Sequence, residues 1–143
     1  MDHHGPVRDQ VLTLWREVGR RFGGHMAERA SELDLTQQQA FALHLLSSGP
    51  LAMSLLAEKL HCDASNVTGI ADRLETRGLV ERLPDPRDRR VKQLSLTLPG
   101  TELMDAMLER LRENPPLIGN LTEDELRQLA DLLQAMLERD DQP

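Results

Sequence analysis

The chain has 143 residues, of which 39% are hydrophobic, 29% charged and only 2% aromatic. This composition predicts one mainly helical globular domain spanning residues 1–143. A single cysteine excludes an internal disulfide framework, and no apolar run reaches the roughly 20 residues of a membrane span, so we expect a cytoplasmic protein without a membrane partner.

The formal net charge of −7 argues against nucleic-acid binding until the charge is divided by region. Residues 98–143 carry 11 acidic and 4 basic side chains, whereas residues 51–97 carry 7 acidic and 8 basic ones. The acid therefore lies towards the carboxyl end, and the local charge of the middle third decides what that part can touch.

Two helices are predicted in the first 50 residues. Apolar side chains recur at helical spacing over residues 8–35, although Gly23 and Gly24 weaken the middle of that segment and favour a bend. The second helix begins with a capping box formed by Thr36 and Gln39, and a Gly-Pro pair ends it.

Two shorter helices follow, joined by only three residues, "HCD". The first covers about residues 53–60, and the second begins after Asp63, a good N-cap, and ends at Gly78. So tight a link is typical of a helix-turn-helix. The side chains expected to face inward are Leu56, Ala57, Leu60, Val67, Ile70 and Leu74. Those expected to face a DNA duplex are Ser65, Asn66, Thr68, Gly69 and Arg73, whose polar groups suit base edges and phosphates.

A hairpin with a basic tip comes next. Residues 79–84 and 91–97 read as strands around the turn sequence "DPRDRR". A helix-turn-helix followed by such a hairpin is the winged-helix arrangement, in which the tip would lie at a minor groove that attracts arginine. The candidate contact residues of the tip are Arg87, Asp88, Arg89 and Arg90. Taken alone, the helix pair also fits an ordinary helical hairpin in a core. Taken alone, the arginine run also fits a solvated loop.

The last two predicted helices, residues 98–114 and 121–140, carry stripes of Leu and Met. Thr122 and Glu125 form a capping box at the start of the second one. Such stripes at the chain ends would be exposed apolar patches in a monomer, so we expect a homodimer. Residues 6–34 and 98–140 are the predicted dimerisation helices, around a DNA-binding lobe at residues 36–97.

The stretch from Met53 to Gly100 resembles the MarR family of bacterial transcription regulators. The wing pattern of that family is matched by Asp85, Pro86, Asp88, Arg90, Leu96, Thr97 and Gly100. The resemblance implies a mainly α fold with a small β-hairpin wing, a homodimer, and a transcription repressor that binds double-stranded DNA. The two-fold symmetry of the dimer then predicts a pseudo-palindromic operator with half-sites about one helical turn apart. It also implies that Arg90 enters the minor groove and that Asp88 steadies the wing.

Members of the family often release DNA when a small aromatic or phenolic effector binds between the dimerisation helices and the winged-helix lobe. The candidate lining residues for such a pocket are Trp15, Met26, Phe41, His44 and Leu45. Side chains at helical spacing more often belong to a core than to a ligand pocket, and this interpretation stays open beside the functional one.

Other chemistries receive little support from the sequence. Cys62 lies in the helix-turn-helix turn with Asp63 beside it, which disfavours a reactive thiolate. The histidines lack the spacing of a zinc site, although His3 could chelate copper with a free amino terminus. We expect no cofactor, no metal and no enzymatic activity, since no phosphate loop or nucleophile pattern is present. The alternative function is a winged-helix protein-interaction module without sequence-specific DNA binding.

Overall fold

The computed structural model describes residues 5–141, and His3 and His4 therefore lie outside the described residues. Helices dominate this part of the chain, and three short strands form one sheet. The elements in chain order are α1 (Pro6–Glu32), α2 (Gln37–Leu46), β1 (Leu51–Ala52), α3 (Met53–Lys59), α4 (Ala64–Thr76), β2 (Val80–Pro84), β3 (Lys92–Leu96), α5 (Leu98–Glu113) and α6 (Glu123–Asp140).

The α1 helix continues without interruption through Gly23 and Gly24, although we expected the pair to weaken it. Each glycine costs only about 1 kcal/mol in a helix interior, which the rest of a 27-residue helix can offset. A Cβ atom placed at Gly23 would lie 3.7 Å from Nε2 of Gln37 on α2, an ordinary van der Waals distance, so packing does not require a glycine there.

Both predicted capping boxes are confirmed. At the start of α2 the backbone N–H of Gln39 donates to Oγ1 of Thr36 at 3.1 Å, and the Gln39 side chain accepts from the Thr36 backbone at 3.0 Å. Thr122 and Glu125 make the same reciprocal pair at the start of α6. Because these bonds satisfy amides that a helix start leaves unpaired, the sequence specifies where each helix begins.

The hairpin is confirmed as an antiparallel pair in which Arg82 lies opposite Leu94. The sheet has a third strand that the sequence did not predict: β1 pairs with β3 and gives the order β1-β3-β2. Its two residues follow Gly49, whose φ of 132° turns the chain back towards the sheet edge. Two residues are too few to show the alternation by which strands are recognised.

The core lies within the helix-turn-helix, the base of the sheet and the helices that cover them. Leu43, Leu56, Leu74 and Leu94 are fully buried there. The predicted inward set fits this core, with Ala57 half-buried and the others buried. The α6 helix contrasts with it, because none of its residues is buried in the single chain.

A compact junction joins the base of the wing to α5. Thr97 caps α5 by accepting from the Gly100 amide at 3.2 Å, and its hydroxyl donates to the carbonyl of Gly78 at 2.5 Å. Gly100 is buried so tightly that an added Cβ would lie 2.0 Å from the carbonyl oxygen of Leu79. This junction holds the base of the wing and the residues that follow α4 against the start of α5.

Candidate nucleic-acid interface

The turn between α3 and α4 has the geometry of a helix-turn-helix. His61 adopts a φ of +52°, a left-handed conformation that His tolerates better than most side chains. The backbone N–H of Cys62 donates to the Ala57 carbonyl at 3.0 Å, closing the end of α3. The turn thus brings the start of α4 close to the end of α3.

Asp63 caps the amino end of α4. Its Oδ1 accepts from the Asn66 backbone N–H at 2.8 Å and from the Ser65 hydroxyl at 2.9 Å. The hydrogen bond from the Asn66 amide, followed by that from the Ser65 side chain, lowers the pKa of the Asp63 carboxyl. The Asn66 backbone amide is therefore engaged by Asp63 and is not free to bind a phosphate.

The outward face of α4 carries the predicted polar set. Ser65, Asn66, Thr68 and Arg73 are exposed, and Gly69 is half-buried. The Thr68 hydroxyl donates to the Ala64 carbonyl at 2.8 Å, so its oxygen remains able to accept. The Ser65 hydroxyl is likewise donated to Asp63. The face therefore offers the hydroxyl oxygens of Ser65 and Thr68 as acceptors, the side-chain amide of Asn66, and the guanidinium of Arg73.

The wing tip is an ordered turn held by its two aspartates. Asp85 accepts from the Arg87 backbone N–H at 2.7 Å and from Nε2 of Gln93 at 3.1 Å. Asp88 accepts from the Arg90 backbone N–H at 3.0 Å. Both carboxylates therefore cap backbone amides of the turn. The carboxylates thus fix the backbone and leave the arginine side chains outside these contacts.

The arginines of α4 and of the wing tip lack carboxylate partners, unlike most other arginines in the chain. Within residues 5–141, none of the ion pairs includes Arg73, Arg87, Arg89 or Arg90. All four are exposed. The positive charge of α4 and of the wing tip is therefore available to an external anion.

Arg82 on β2 is a residue that sequence reasoning missed. Its Nη2 lies 2.5 Å from Oδ1 of Asp72 and its Nη1 lies 2.8 Å from Oε1 of Glu75, both on α4. This contact places β2 alongside the carboxyl-terminal half of the recognition helix. The available signal was a basic residue in a predicted strand directly after a helix with acids three residues apart.

A second contact of this kind ties α4 to the first part of the chain. The guanidinium of Arg77, the residue that ends α4, donates to the Asp34 carbonyl at 2.7 Å and to the Leu33 carbonyl at 3.0 Å. Both carbonyls lie just after α1. The recognition helix is thereby joined at its carboxyl end to the helix-to-helix connection between α1 and α2.

A cavity of about 490 Å³ lies between α1, α2 and α5. Met26, Phe41 and His44 line it, and the rings of Phe41 and His44 stack with centroids 6.5 Å apart. Trp15 and Leu45 are not lining residues, since Trp15 is exposed on α1 and Leu45 packs against the core. The lining residues that we did not predict are Gly19, Phe22, Gly23, Gln37, Ala40, Met104, Met107, Leu108 and Leu111. The last four of these residues lie on α5, and the Leu and Met stripe predicted for that helix was the sequence signal for them.

Neither metal-site geometry nor a transmembrane helix is found in the described part of the chain. Residues 5–141 hold no group of three His, Cys, Asp or Glu side chains arranged to bind a metal ion. Nor do their helices include one with the length and apolar composition needed to cross a bilayer. Cys62 is a half-buried free thiol in the helix-turn-helix turn.

The helix-turn-helix, the adjacent two-stranded wing and the flanking helices define a winged helix-turn-helix protein. A MarR family model matches residues 35–92. The HTH-type transcriptional repressor NicR of Pseudomonas putida is 33% identical over 137 residues, covering 94% of this chain and 87% of NicR. The chain therefore belongs to the MarR family of transcription regulators.

Solved structures support the same assignment. Apo MarR from E. coli superposes with a TM-score of 0.78 at 30% identity, covering 87% of this chain and 94% of that one. A MepR variant from S. aureus bound to an oligodeoxyribonucleotide superposes with a TM-score of 0.63 at 26% identity, covering 90% and 96%. The predicted fold, mainly α with a small hairpin wing, is confirmed.

Proposed function

We propose that this protein is a transcription repressor that binds a pseudo-palindromic DNA operator as a homodimer and releases it when a small aromatic or phenolic molecule binds. The observation that carries the DNA-binding part is the set of exposed arginines without carboxylate partners on α4 and the wing tip of an acidic chain. Phosphate contact depends on such local charge, and the net charge does not decide it.

The two arginine groups suit two different grooves. The outward face of α4 has the width and polarity to enter a major groove, where Ser65, Asn66 and Thr68 can bond base edges and Arg73 a guanine or a phosphate. The wing beside it would place Arg90 at the neighbouring minor groove, where a narrow groove concentrates negative potential. The aspartates of the tip support this role because they hold the backbone without neutralising the arginines.

Dimerisation is supported by the apolar side chains that α1 and α6 leave uncovered. Monomeric proteins rarely expose patches of this extent, and a two-fold symmetric dimer would bury them. Two recognition helices related by that symmetry would read half-sites about one helical turn apart. The large apolar side chains exposed on these two helices are Val7, Val11, Leu12, Leu14, Trp15, Val18, Phe22, Leu132, Leu133, Met136 and Leu137.

The cavity between α1, α2 and α5 supports the effector part of the proposal. Its volume of about 490 Å³ is that of a small-molecule site, and its lining is apolar apart from Gln37 and His44. The cavity lies between helices assigned to the dimer and the helix that packs on α4. A ligand that favours one spacing of these helices would shift the population of the DNA-binding conformation.

The DNA-binding part is tested by isolating the genomic fragments that the purified protein retains and titrating one of them in fluorescence anisotropy. We expect affinity to fall steeply with salt concentration, because bound phosphates release counterions. Arg90→Ala should lower affinity by about 1–3 kcal/mol while leaving the dimer intact. The matched control is Arg139→Ala, which removes an exposed arginine from α6.

Asn66→Ala and Thr68→Ala address specificity. Because these side chains face base edges in the proposal, each variant should change the consensus obtained in a binding-site selection. An unchanged consensus would contradict a base-reading role for α4. An Arg90→Ala protein with parental affinity would contradict the wing contact.

The effector part has a separate test. Phenols and aromatic acids are screened for release of the retained DNA fragment, and the active compounds are then tested on Gly19→Leu. This substitution adds a side chain at a lining position where a Cβ meets nothing within 4 Å. We expect the variant to bind DNA as the parent does and to lose its response to the compound. A response equal to that of the parent would place the effector elsewhere.

The alternative is a winged-helix module that binds an acidic protein partner. The observation that favours it is the net charge of −7, which slows the approach of the whole molecule to DNA. The experiments above separate the two functions. A protein that retains no genomic fragment at low ionic strength would be the interaction module.

A further inference from the structure

Arg82 connects the wing to the recognition helix by two ion pairs at once. It lies on β2, with its side chain 26% exposed, and reaches Asp72 at 2.5 Å and Glu75 at 2.8 Å on α4. These two acids are three residues apart and so lie on the same side of the helix. The hydrogen bond that the Arg82 guanidinium donates to Asp72, followed by the negative charge of Glu75, raises the pKa of the guanidinium.

The shape of the guanidinium matters for this contact. Its planar fork holds two separate nitrogen donors at a fixed angle, so one side chain can engage two carboxylates in a single geometry. A lysine ammonium is a point charge on a flexible stem and lacks that preorganised fork. The arginine therefore determines the relative orientation of β2 and α4 as well as their attraction.

Arg82 lies near the base of the wing, so its contact with α4 affects where the tip lies. The wing is anchored at its base by Val80, which is buried in the core, and Arg82 is two residues further out. Within residues 5–141, the side-chain hydrogen bonds between α4 and the hairpin are those of Arg82. Arg87 begins the arginine run five residues beyond, in the turn that follows the end of β2 at Pro84, so at about 3.3 Å per extended residue it lies at most on the order of 15 Å away.

A small rotation at Arg82 would therefore displace the tip considerably. A change of about 10° over that length moves the arginines by about 3 Å, more than the roughly 0.5 Å tolerance of a preorganised binding site. The two arginine groups engage a duplex together only when the angle between wing and helix is held.

We propose that Arg82 is a positioning residue that fixes the angle between the wing and the recognition helix, so that both reach adjacent grooves of one duplex at the same time. The inference rests on the DNA-binding function proposed above. It assigns to Arg82 no contact with DNA, because its guanidinium is engaged by Asp72 and Glu75.

A double-mutant cycle on DNA affinity tests this role. If Arg82 places the wing, the loss caused by Arg90→Ala should shrink about tenfold in the Arg82→Ala background, a coupling typical of residues that act together. The loss caused by Arg73→Ala, on the helix itself, should stay unchanged. Equal and independent losses for Arg82 and Arg90 would overturn the proposal.

Three further variants separate positioning from charge. Arg82→Lys keeps the charge but not the fork, and we expect it to couple to Arg90 as Arg82→Ala does. Adding Asp72→Asn and Glu75→Gln to Arg82→Ala removes the acids that Arg82 neutralises; restoration of parental affinity would show charge neutralisation alone and overturn the proposal. Arg127→Ala is the matched control, since Arg127 pairs with Glu123 and Asp124 within α6, and it should leave affinity unchanged.

A measurement without DNA distinguishes failure of this inference from failure of the proposed function. Spin labels are placed at Arg89→Cys on the tip and Thr76→Cys on α4 in a Cys62→Ser background, and their distance distribution is recorded by pulsed electron paramagnetic resonance. Arg82→Ala and Arg82→Lys, both checked for folding by circular dichroism, should broaden or shift the distribution. A distribution as narrow as the parental one in both variants would overturn the positioning role, whether or not the parent binds DNA.

Discussion

At the scale of single residues, the wing tip shows how an acid can support a basic surface. Asp85 and Asp88 lie among three arginines, yet each directs a carboxylate oxygen to a backbone amide. Such hydrogen bonds replace those that water would otherwise make to the turn amides. They also reduce the conformational freedom of the turn. The sequence places both acids at the tip but does not show which groups their carboxylates bind, because the direction of a side chain depends on backbone angles that a pattern does not contain.

Asp88→Ala should therefore weaken DNA binding by about 1 kcal/mol, the net value of one hydrogen bond, because the Arg90 backbone loses its acceptor. Asp88→Asn keeps an acceptor oxygen, removes a negative charge near the duplex, and should bind DNA at least as tightly as the parent. Anisotropy titrations measure both, with Asp105→Ala on α5 as the control for the charge change. If both Asp88 variants bound more tightly than the parent, repulsion of DNA would be the main effect of this side chain.

Gly100 offers a second prediction at this scale, concerning stability. Any side chain at this buried position drives Cβ to 2.0 Å from the Leu79 carbonyl, so Gly100→Ala should lower the free energy of unfolding by about 2–3 kcal/mol. Gly24 is the matched control: it is helical, a Cβ there meets nothing within 4 Å, and Gly24→Ala should stabilise by about 0.5–1 kcal/mol. Urea denaturation followed by circular dichroism measures both changes, and similar midpoints would contradict the close packing.

At the scale of elements, short-range chemistry explains which features were predictable. Thr36, Asp63 and Thr122 each cap a helix that begins at the next residue, so the sequence located these starts correctly. The β1 strand depends on its pairing with β3, which is distant in sequence, and no local pattern signals it. The Arg82 contact joins residues only 7 and 10 positions apart, and its signal was the spacing of the two acids before the strand. Nine of the twelve lining residues of the cavity were also missed, four of them on α5, which meets α1 and α2 only after folding.

The Asp63 cap of α4 makes a prediction about pH. Because its pKa is lowered in the folded state, the stabilisation that ionised Asp63 contributes is complete above its ordinary value of 3.8 and is lost as the pH falls through the lowered value. Asp63→Asn keeps an acceptor oxygen for the Asn66 amide but does not titrate. The difference in unfolding midpoint between parent and variant should be largest near neutral pH and should shrink in acid. A difference that stayed constant from pH 7 to pH 2 would contradict an ionised cap.

At the scale of the whole molecule, the structure separates the core from the surfaces that remain to be covered. The helix-turn-helix, the sheet and α2 contain most of the buried core, whereas α6 has no buried residue and α1 has only Ala30. The sequence predicted the stripe on α6, and we expected from it a homodimer in which the stripe packs against a copy of the chain. The exposed fractions of that stripe in the single chain favour a copy as the partner.

Substitution of Leu133 and Leu137 together by Glu tests this interface. Their side chains are 37% and 64% exposed in the single chain, so the substitutions should leave the fold of each chain intact. Each buried leucine contributes about 1.5–3 kcal/mol, and a two-fold interface loses both residues from both copies, so the dimer dissociation constant should rise by more than about a hundredfold. Analytical ultracentrifugation across a concentration series measures it, with Leu98→Glu, at 72% exposed on the wing side of α5, as the control.

Operator affinity should fall in parallel, because each separated chain reads one half-site only. A variant that sediments as a dimer at micromolar concentration would place the interface on a different surface. A parent protein that sediments as a monomer would remove the two-fold symmetry from which the pseudo-palindromic operator follows.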